Sequence, residues 1–151
     1  MEREELTRRE AGAWAAFHDL VGSFSPEQLE RPGVNVEGWT VKDVLWHVAH
    51  WWDDLTSTLE QLRAGTFAEP PEDDDETDAE NAQVLEESRR MSLVEVRVGL
   101  DAARARMLAA WATLPNEVDD VAAKHFLWET TEHYEEHEPD LRRFTDELGA
   151  S

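Results

Sequence analysis

The sequence contains no cysteine, and this absence removes three kinds of chemistry. Without thiols the chain forms no disulfide, offers no thiolate to a metal and supplies no sulfur nucleophile. A metal site in this protein would therefore use His, Asp or Glu side chains. A reaction that needs a thiol would take it from a cosubstrate.

Positive charge is also scarce, because Lys plus Arg number 14 against 35 Asp plus Glu, which gives a net charge of −21. Such a charge repels phosphate backbones and anionic lipid, so we expect no nucleic-acid and no membrane partner. No apolar run approaches the roughly 18 residues of a membrane span, and the N-terminal Met-Glu-Arg-Glu-Glu is unlike a signal peptide. We expect a cytoplasmic protein.

Strand-like alternation of apolar and polar residues is missing as well, whereas helical periodicity occurs four times. One apolar stripe per helix predicts an all-α fold, an antiparallel four-helix bundle that forms a single domain over residues 1–151. The helices are predicted over about residues 2–22, 41–63, 78–114 and 120–148, with the third divided near Met91.

Local signals predict where these helices begin and bend. Thr40 is the expected N-cap of the second helix, and the segments starting at Thr77 and Ser92 match the capping box. Two prolines and a run of acids predict a loop over residues 65–77. Pro139 is expected to bend the fourth helix, because it removes one backbone hydrogen bond.

Two histidines, His133 and His137, lie one helical turn apart on the predicted fourth helix. Stepping about 100° per residue places both within roughly 50° of the centre of its apolar stripe. Imidazoles on a core face need polar partners, and a divalent metal is the simplest partner that residues at this spacing share. The alternative interpretation is that both are ordinary core or surface histidines.

A third metal ligand is predicted on the second helix. His47 lies roughly 110° from the centre of that helix's stripe, on a flank that faces a neighbour in a bundle, whereas His50 lies roughly 170° away. We therefore prefer His47. Three histidines and one open position are typical of catalytic zinc sites. Glu136 and Glu129 lie one heptad apart, and either could hold a ligand imidazole or act as a base on bound water; Glu136 is the candidate catalytic residue.

The segment from His133 to His137 also fits the H-x-x-E-H pattern of inverzincin proteases, with Glu136 as the general base. Only 14 of the 151 residues follow His137, so no extended downstream region supplies a further acidic ligand. A protease cleft is also hard to place on a bundle of this size. We regard this as the weaker interpretation.

Two tryptophans of the second helix predict a homodimer interface and a wall of the metal site. Trp46 is predicted to point roughly 150° away from the apolar stripe, beside His50, and this aromatic surface predicts a homodimer interface. Trp51 falls between the core and His47, where it is expected to form a wall of the site.

At these positions the chain resembles the DinB superfamily of four-helix-bundle proteins. The segment 38–51 resembles that family's helix-two motif, a tryptophan, a Lys-Asp pair and then Leu-x-His, here Trp39, Lys42-Asp43 and Leu45-Trp46-His47. The segments Glu80-Asn81-Ala82 and 130–137 resemble the ClbS/DfsB branch. The resemblance covers nearly the whole chain.

The resemblance implies an up-down-down-up bundle, frequent homodimers and a divalent ion, zinc or nickel, held by His47, His133 and His137. It also implies a small electrophilic substrate and a low-molecular-weight thiol or water, in a transferase, isomerase or hydrolase with a stress or detoxification role. The alternative function is a non-catalytic protein that sequesters a small molecule or a metal.

Overall fold

The computed structural model describes residues 1–149, whose regular secondary structure is helical apart from one isolated bridge between Glu2 and Glu117. The helices are α1 (Arg3–Gly22), α2 (Pro26–Leu29), α3 (Val41–Ala64), α4 (Asp74–Arg89), α5 (Leu93–Ala112), α6 (Asp120–Glu129) and α7 (Thr131–Gly149). The all-α prediction is confirmed. The predicted domain reaches residue 151, and residues 150 and 151 lie outside the described residues. Within residues 1–149 no helix is both long and apolar enough to cross a bilayer.

The chain forms two compact units, of which the first contains Met1–Val44 and the chain from Asn116 onward. In this unit α1, α6 and α7 pack against one another. Trp14, Phe17 and Tyr134 lie at the centre, with ring centroids 5.5 to 5.7 Å apart. The apolar side chains that are buried in this unit include Leu6, Val21, Phe24, Leu29, Phe126, Leu141 and Phe144.

The second unit contains Leu45–Pro115, which comprises most of α3 together with α4 and α5. Its core is built from apolar positions at helical spacing, among them Val48, Trp52, Leu55, Leu59, Val84, Leu100, Met107 and Trp111. On its surface the guanidinium of Arg106 in α5 donates to both carboxylate oxygens of Asp53 in α3 at 2.9 to 3.1 Å. This pairing joins α3 to α5.

Helix α4 begins at Asp74, inside the predicted acidic loop, so the expected start at Thr77 is wrong. Asp73 is the N-cap, and its carboxylate accepts a hydrogen bond from the backbone N–H of Glu76 at 3.0 Å. Acidic side chains are stabilising in the first turn, where the helix dipole is positive. The charges that were expected to prevent a helix therefore favour its start.

The predicted fourth helix is two helices, interrupted at Thr130, where φ is −119° and ψ is −98°. The Thr130 hydroxyl donates to the backbone carbonyl of Phe126 at 2.6 Å. The same bond occurs at Thr56 inside the unbroken α3, so this hydrogen bond accompanies the interruption and does not by itself explain it. Pro139, which the sequence singled out for a bend, lies inside α7.

Candidate metal centre

The first turns of α7 carry two of the three predicted ligands. His133 is buried, with 7 % of its surface exposed, and His137 is half-buried one turn later. Their Nε2 atoms lie 2.9 Å apart, and the two rings are tilted by 52°. Histidines at i and i+4 on a helix therefore direct two ring nitrogens to one place, as their spacing predicts.

The burial of His137 prepares its ring for metal binding. Burial lowers the pKa of His137 from 6.5 to about 4, and the nearby carboxylate of Asp140 partly opposes this shift by raising it. The cause is desolvation, which penalises the charged imidazolium. A metal binds the neutral ring, so His137 is in its ligand form at neutral pH.

The third predicted ligand, His47, lies on α3 and is buried, with 8 % of its surface exposed. The ring of Trp51, one turn further along α3, stands edge-on to it at a centroid distance of 6.5 Å. Trp51 is held in place because its indole N–H donates to Oδ1 of Asn81 on α4 at 3.0 Å. The predicted position of Trp51 beside His47 is therefore confirmed.

His47, His133 and His137 form a group in which each residue offers one ring nitrogen, and these atoms all lie within 4.8 Å of one another. Ligand nitrogens lie about 3.3 Å apart around a tetrahedral zinc ion, whose Zn–N bonds are about 2.0 to 2.1 Å. The 2.9 Å between the Nε2 atoms of His133 and His137 is close to this spacing, and imidazole is a common zinc ligand. The predicted ligands thus come together, and their binding of a metal stays a prediction. The group contains no carboxylate, which the protease pattern would require.

The two candidate glutamates differ in their surroundings. Glu129, the last residue of α6, places its carboxylate oxygen Oε2 4.0 Å from Nδ1 of His133. Glu136 is exposed to solvent. Its role as a base stays a prediction, whereas Glu129 lies beside the candidate ligand His133.

Trp46 and His50, which were predicted to line a homodimer interface, make contacts inside the second unit instead. Trp46 is half-buried and donates from its indole nitrogen to Glu87 at 3.2 Å, and its ring covers Gly99. His50 lies 2.6 Å from a carboxylate oxygen of Glu80. Neither residue therefore supports the dimer argument, and the homodimer itself stays a prediction.

Sequence reasoning missed the buried acid of α1. Glu10 is 1 % exposed and accepts a hydrogen bond from the Tyr134 hydroxyl at 2.9 Å. Its signal was present, because Glu10 lies one turn after Leu6 and two turns before Phe17, on the apolar stripe of α1. No comparable signal identified Glu80 and Asn81 as hydrogen-bond partners of α3.

Comparison with known proteins gives one family and a fold. The family model described as the mycothiol maleylpyruvate isomerase N-terminal domain matches residues 11–142. No protein of curated function matches this chain by sequence.

Two solved structures are similar along nearly their whole length. An uncharacterised protein from Escherichia coli UTI89 has a TM-score of 0.78 and 10 % identity, over 98 % of this chain and 95 % of that chain. The colibactin self-resistance protein ClbS, solved in complex with a double-stranded DNA, has a TM-score of 0.78 and 12 % identity, over 95 % of both chains. At such identities the likeness shows the fold, and it confirms the expected DinB-like four-helix bundle.

Proposed function

The chain belongs to the family of the mycothiol maleylpyruvate isomerase N-terminal domain, and on this premise we propose that it is a metal-dependent enzyme acting on a small electrophile with a low-molecular-weight thiol. The observation that carries the proposal is the group of His47, His133 and His137, whose ligand atoms lie within 4.8 Å of one another. The family is named after an isomerase and a thiol, which favours an isomerase or transferase over a hydrolase.

Three imidazoles would hold the ion, one ring nitrogen from each of His47, His133 and His137. Imidazole suits zinc and nickel, and three protein ligands leave a position for an exogenous group. When bound, such an ion supplies a positive charge that favours a thiolate over a thiol and polarises an electrophile.

The chain's own side chains would shape and serve the site. Trp51, fixed by Asn81, presents an apolar ring beside His47 that would limit the access of water. Because the chain has no cysteine, the reacting sulfur would arrive with the cosubstrate. Glu136 is the proposed acceptor of the thiol proton, and its exposed carboxylate would pass that proton to solvent.

The first experiment measures metal content in protein purified without a histidine tag. We expect about one zinc or nickel ion per chain in the parent, and only a trace in His137→Ala, because a three-ligand site loses one ligand. His18→Ala is the control, since His18 is exposed and lies outside the histidine group, and it should match the parent. The same sub-stoichiometric trace in all three proteins would rule out the site.

The second experiment screens metal-loaded protein against small electrophiles, with and without a low-molecular-weight thiol. An enzyme consumes many equivalents, loses this turnover in His133→Ala and keeps it in Glu138→Ala. Consumption that stops at one equivalent per chain would instead favour the alternative, a protein that sequesters its ligand. No consumption with or without a thiol would contradict both functions for the compounds screened.

A further inference from the structure

The carboxylate of Glu129 lies at the C-terminal end of a helix, where an acidic side chain is destabilising unless another contact compensates it. Glu129 is the last residue of α6, where the helix dipole is negative. The last turn of α6 contains no basic residue. The Glu129 side chain is nevertheless only 19 % exposed, and Oε2 lies 4.0 Å from Nδ1 of His133. A half-buried acid at this end of a helix points to a compensating contact.

His133 has different neighbours at its two ring nitrogens. Nε2 lies 2.9 Å from Nε2 of His137, on the side where the histidines gather. Nδ1 is the nitrogen that faces Glu129, at a distance of 4.0 Å that is close but longer than a hydrogen bond. A neutral imidazole carries its proton on one nitrogen and a lone pair on the other, and a carboxylate beside one nitrogen favours the proton there.

The interruption at Thr130 separates the acid from the histidine it faces, and the first turn of α7 is held in two ways. The backbone N–H of Tyr134 donates to the Thr130 carbonyl at 2.9 Å, and the Tyr134 hydroxyl donates to buried Glu10 at 2.9 Å. His133 precedes Tyr134 in this anchored turn. The backbone that carries the His133 ring is therefore fixed. Only the rotation of the ring and the choice of its tautomer remain to be set.

We propose that Glu129 is a positioning residue that orients the His133 ring and keeps its proton on Nδ1, which leaves Nε2 as the metal-binding nitrogen. This inference rests on the proposed function, since it gives Glu129 a task in the metal site. It also assigns different roles to the two candidate glutamates, because Glu136 is exposed and Glu129 faces a ligand ring.

The test compares zinc affinities by competition with a chromophoric chelator, using tag-free parent, Glu129→Gln and Glu135→Gln. The two substitutions remove the same charge, and Glu135 is exposed on α7, so long-range electrostatics are matched. Loss of a carboxylate that orients a ligand histidine typically weakens metal binding by about 10- to 100-fold. We expect that loss in Glu129→Gln and an affinity within about twofold of the parent in Glu135→Gln, with unchanged helical content in both.

A second readout uses the parent alone, so it does not depend on how any variant folds. Long-range proton–nitrogen NMR of the zinc-loaded protein reports which His133 nitrogen carries the proton, and we expect Nδ1. A proton on Nε2, or equal zinc affinities in the two variants, would overturn the role of Glu129 while the metal site stands. A parent that binds no zinc would overturn the proposed function and this inference together.

Discussion

At the residue scale, the contact between Glu10 and Tyr134 joins α1 to the turn that carries His133. Glu10 is 1 % exposed, and burial of a carboxyl group is costly unless it is hydrogen-bonded. Tyr134 is also fully buried, and its ring packs against Trp14 and Phe17. The hydroxyl is thus the polar end of a side chain that is otherwise part of the core.

The substitution Tyr134→Phe tests this contact, because it keeps the ring and removes only the donor. We expect the free energy of unfolding to fall by about 1 to 3 kcal/mol, the usual result of taking one partner from a buried polar group. Chemical denaturation measures it. Glu5→Gln, an exposed position on the same helix, should stay within about 0.5 kcal/mol of the parent. A Tyr134→Phe protein as stable as the parent would contradict the argument.

The pKa of His137 predicts a loss of stability on acidification in metal-free protein. Burial lowers this pKa from 6.5 to about 4, so between these values the unfolded chain binds more protons than the folded one. Stability then rises with pH across this window and falls as the pH drops from about 6.5 towards 4, by at most about 3 kcal/mol.

Denaturation of metal-free parent and His137→Gln at several pH values isolates this contribution. The carboxylates titrate in both proteins, so the difference between the two curves belongs to the histidine. We expect the parent to lose more stability than the variant between about pH 6.5 and 4.5. Parallel curves would show that His137 keeps its ordinary pKa.

At the scale of elements, α3 and α4 are joined by pairs of polar contacts beside the apolar core. His50 meets Glu80 and Trp51 meets Asn81, so neighbouring residues of one helix meet neighbouring residues of the other. Trp46 lies one turn before His50 and bonds to Glu87 further along α4. These contacts hold the Trp51 ring beside the candidate ligand of α3.

Gly99 on α5 is where the Trp46 ring approaches a helix most closely. A Cβ atom at Gly99 would lie 2.6 Å from a ring carbon of Trp46, so Gly99→Ala must displace a large, hydrogen-bonded ring. We expect a net destabilisation of about 1 to 3 kcal/mol, despite the better helix propensity of alanine.

Gly12→Ala on α1 is the matched control, because a Cβ there meets nothing within 4 Å. Only the higher helix propensity of alanine then changes the stability, and we expect the free energy of unfolding to rise by about 0.5 to 1 kcal/mol. Thermal and chemical denaturation of the two variants should therefore show changes of opposite sign. A stabilised Gly99→Ala protein would mean that Trp46 is free to move away.

At the scale of the whole molecule, the dominant property is the net charge of −21. ClbS, which shares the fold, was solved with a double-stranded DNA, so the expectation that this chain binds no nucleic acid needs a direct test. Neutralising phosphate charge takes Lys and Arg, which number only 14 here.

We expect no shift of a double-stranded DNA fragment in an electrophoretic mobility assay at micromolar protein and near-physiological salt. Repulsion between two polyanions is the reason, and lower salt should strengthen it. A retarded band that weakens as salt is raised would show phosphate binding and contradict the expectation.

Local sequence determined the helices and two of the three candidate metal ligands. Helix periodicity located the long helices, and Thr40 and Ser92 cap α3 and α5 as predicted. His133 and His137 were identified as a pair because helix geometry places residues i and i+4 on one face, whatever surrounds them. His47 followed from its position on the flank of α3, supported by the family motif.

Only the tertiary structure decided which side chains meet across helices. Trp46 and His50 were assigned to the surface because the periodicity of one helix contains no information about its neighbours, and in the structure each contacts a glutamate of α4. The periodicity did not decide between Glu129 and Glu136, which lie one heptad apart, whereas in the structure Glu129 lies beside His133 and Glu136 is exposed to solvent. Contacts between helices depend on how their surfaces pack, and packing is settled by the whole chain together.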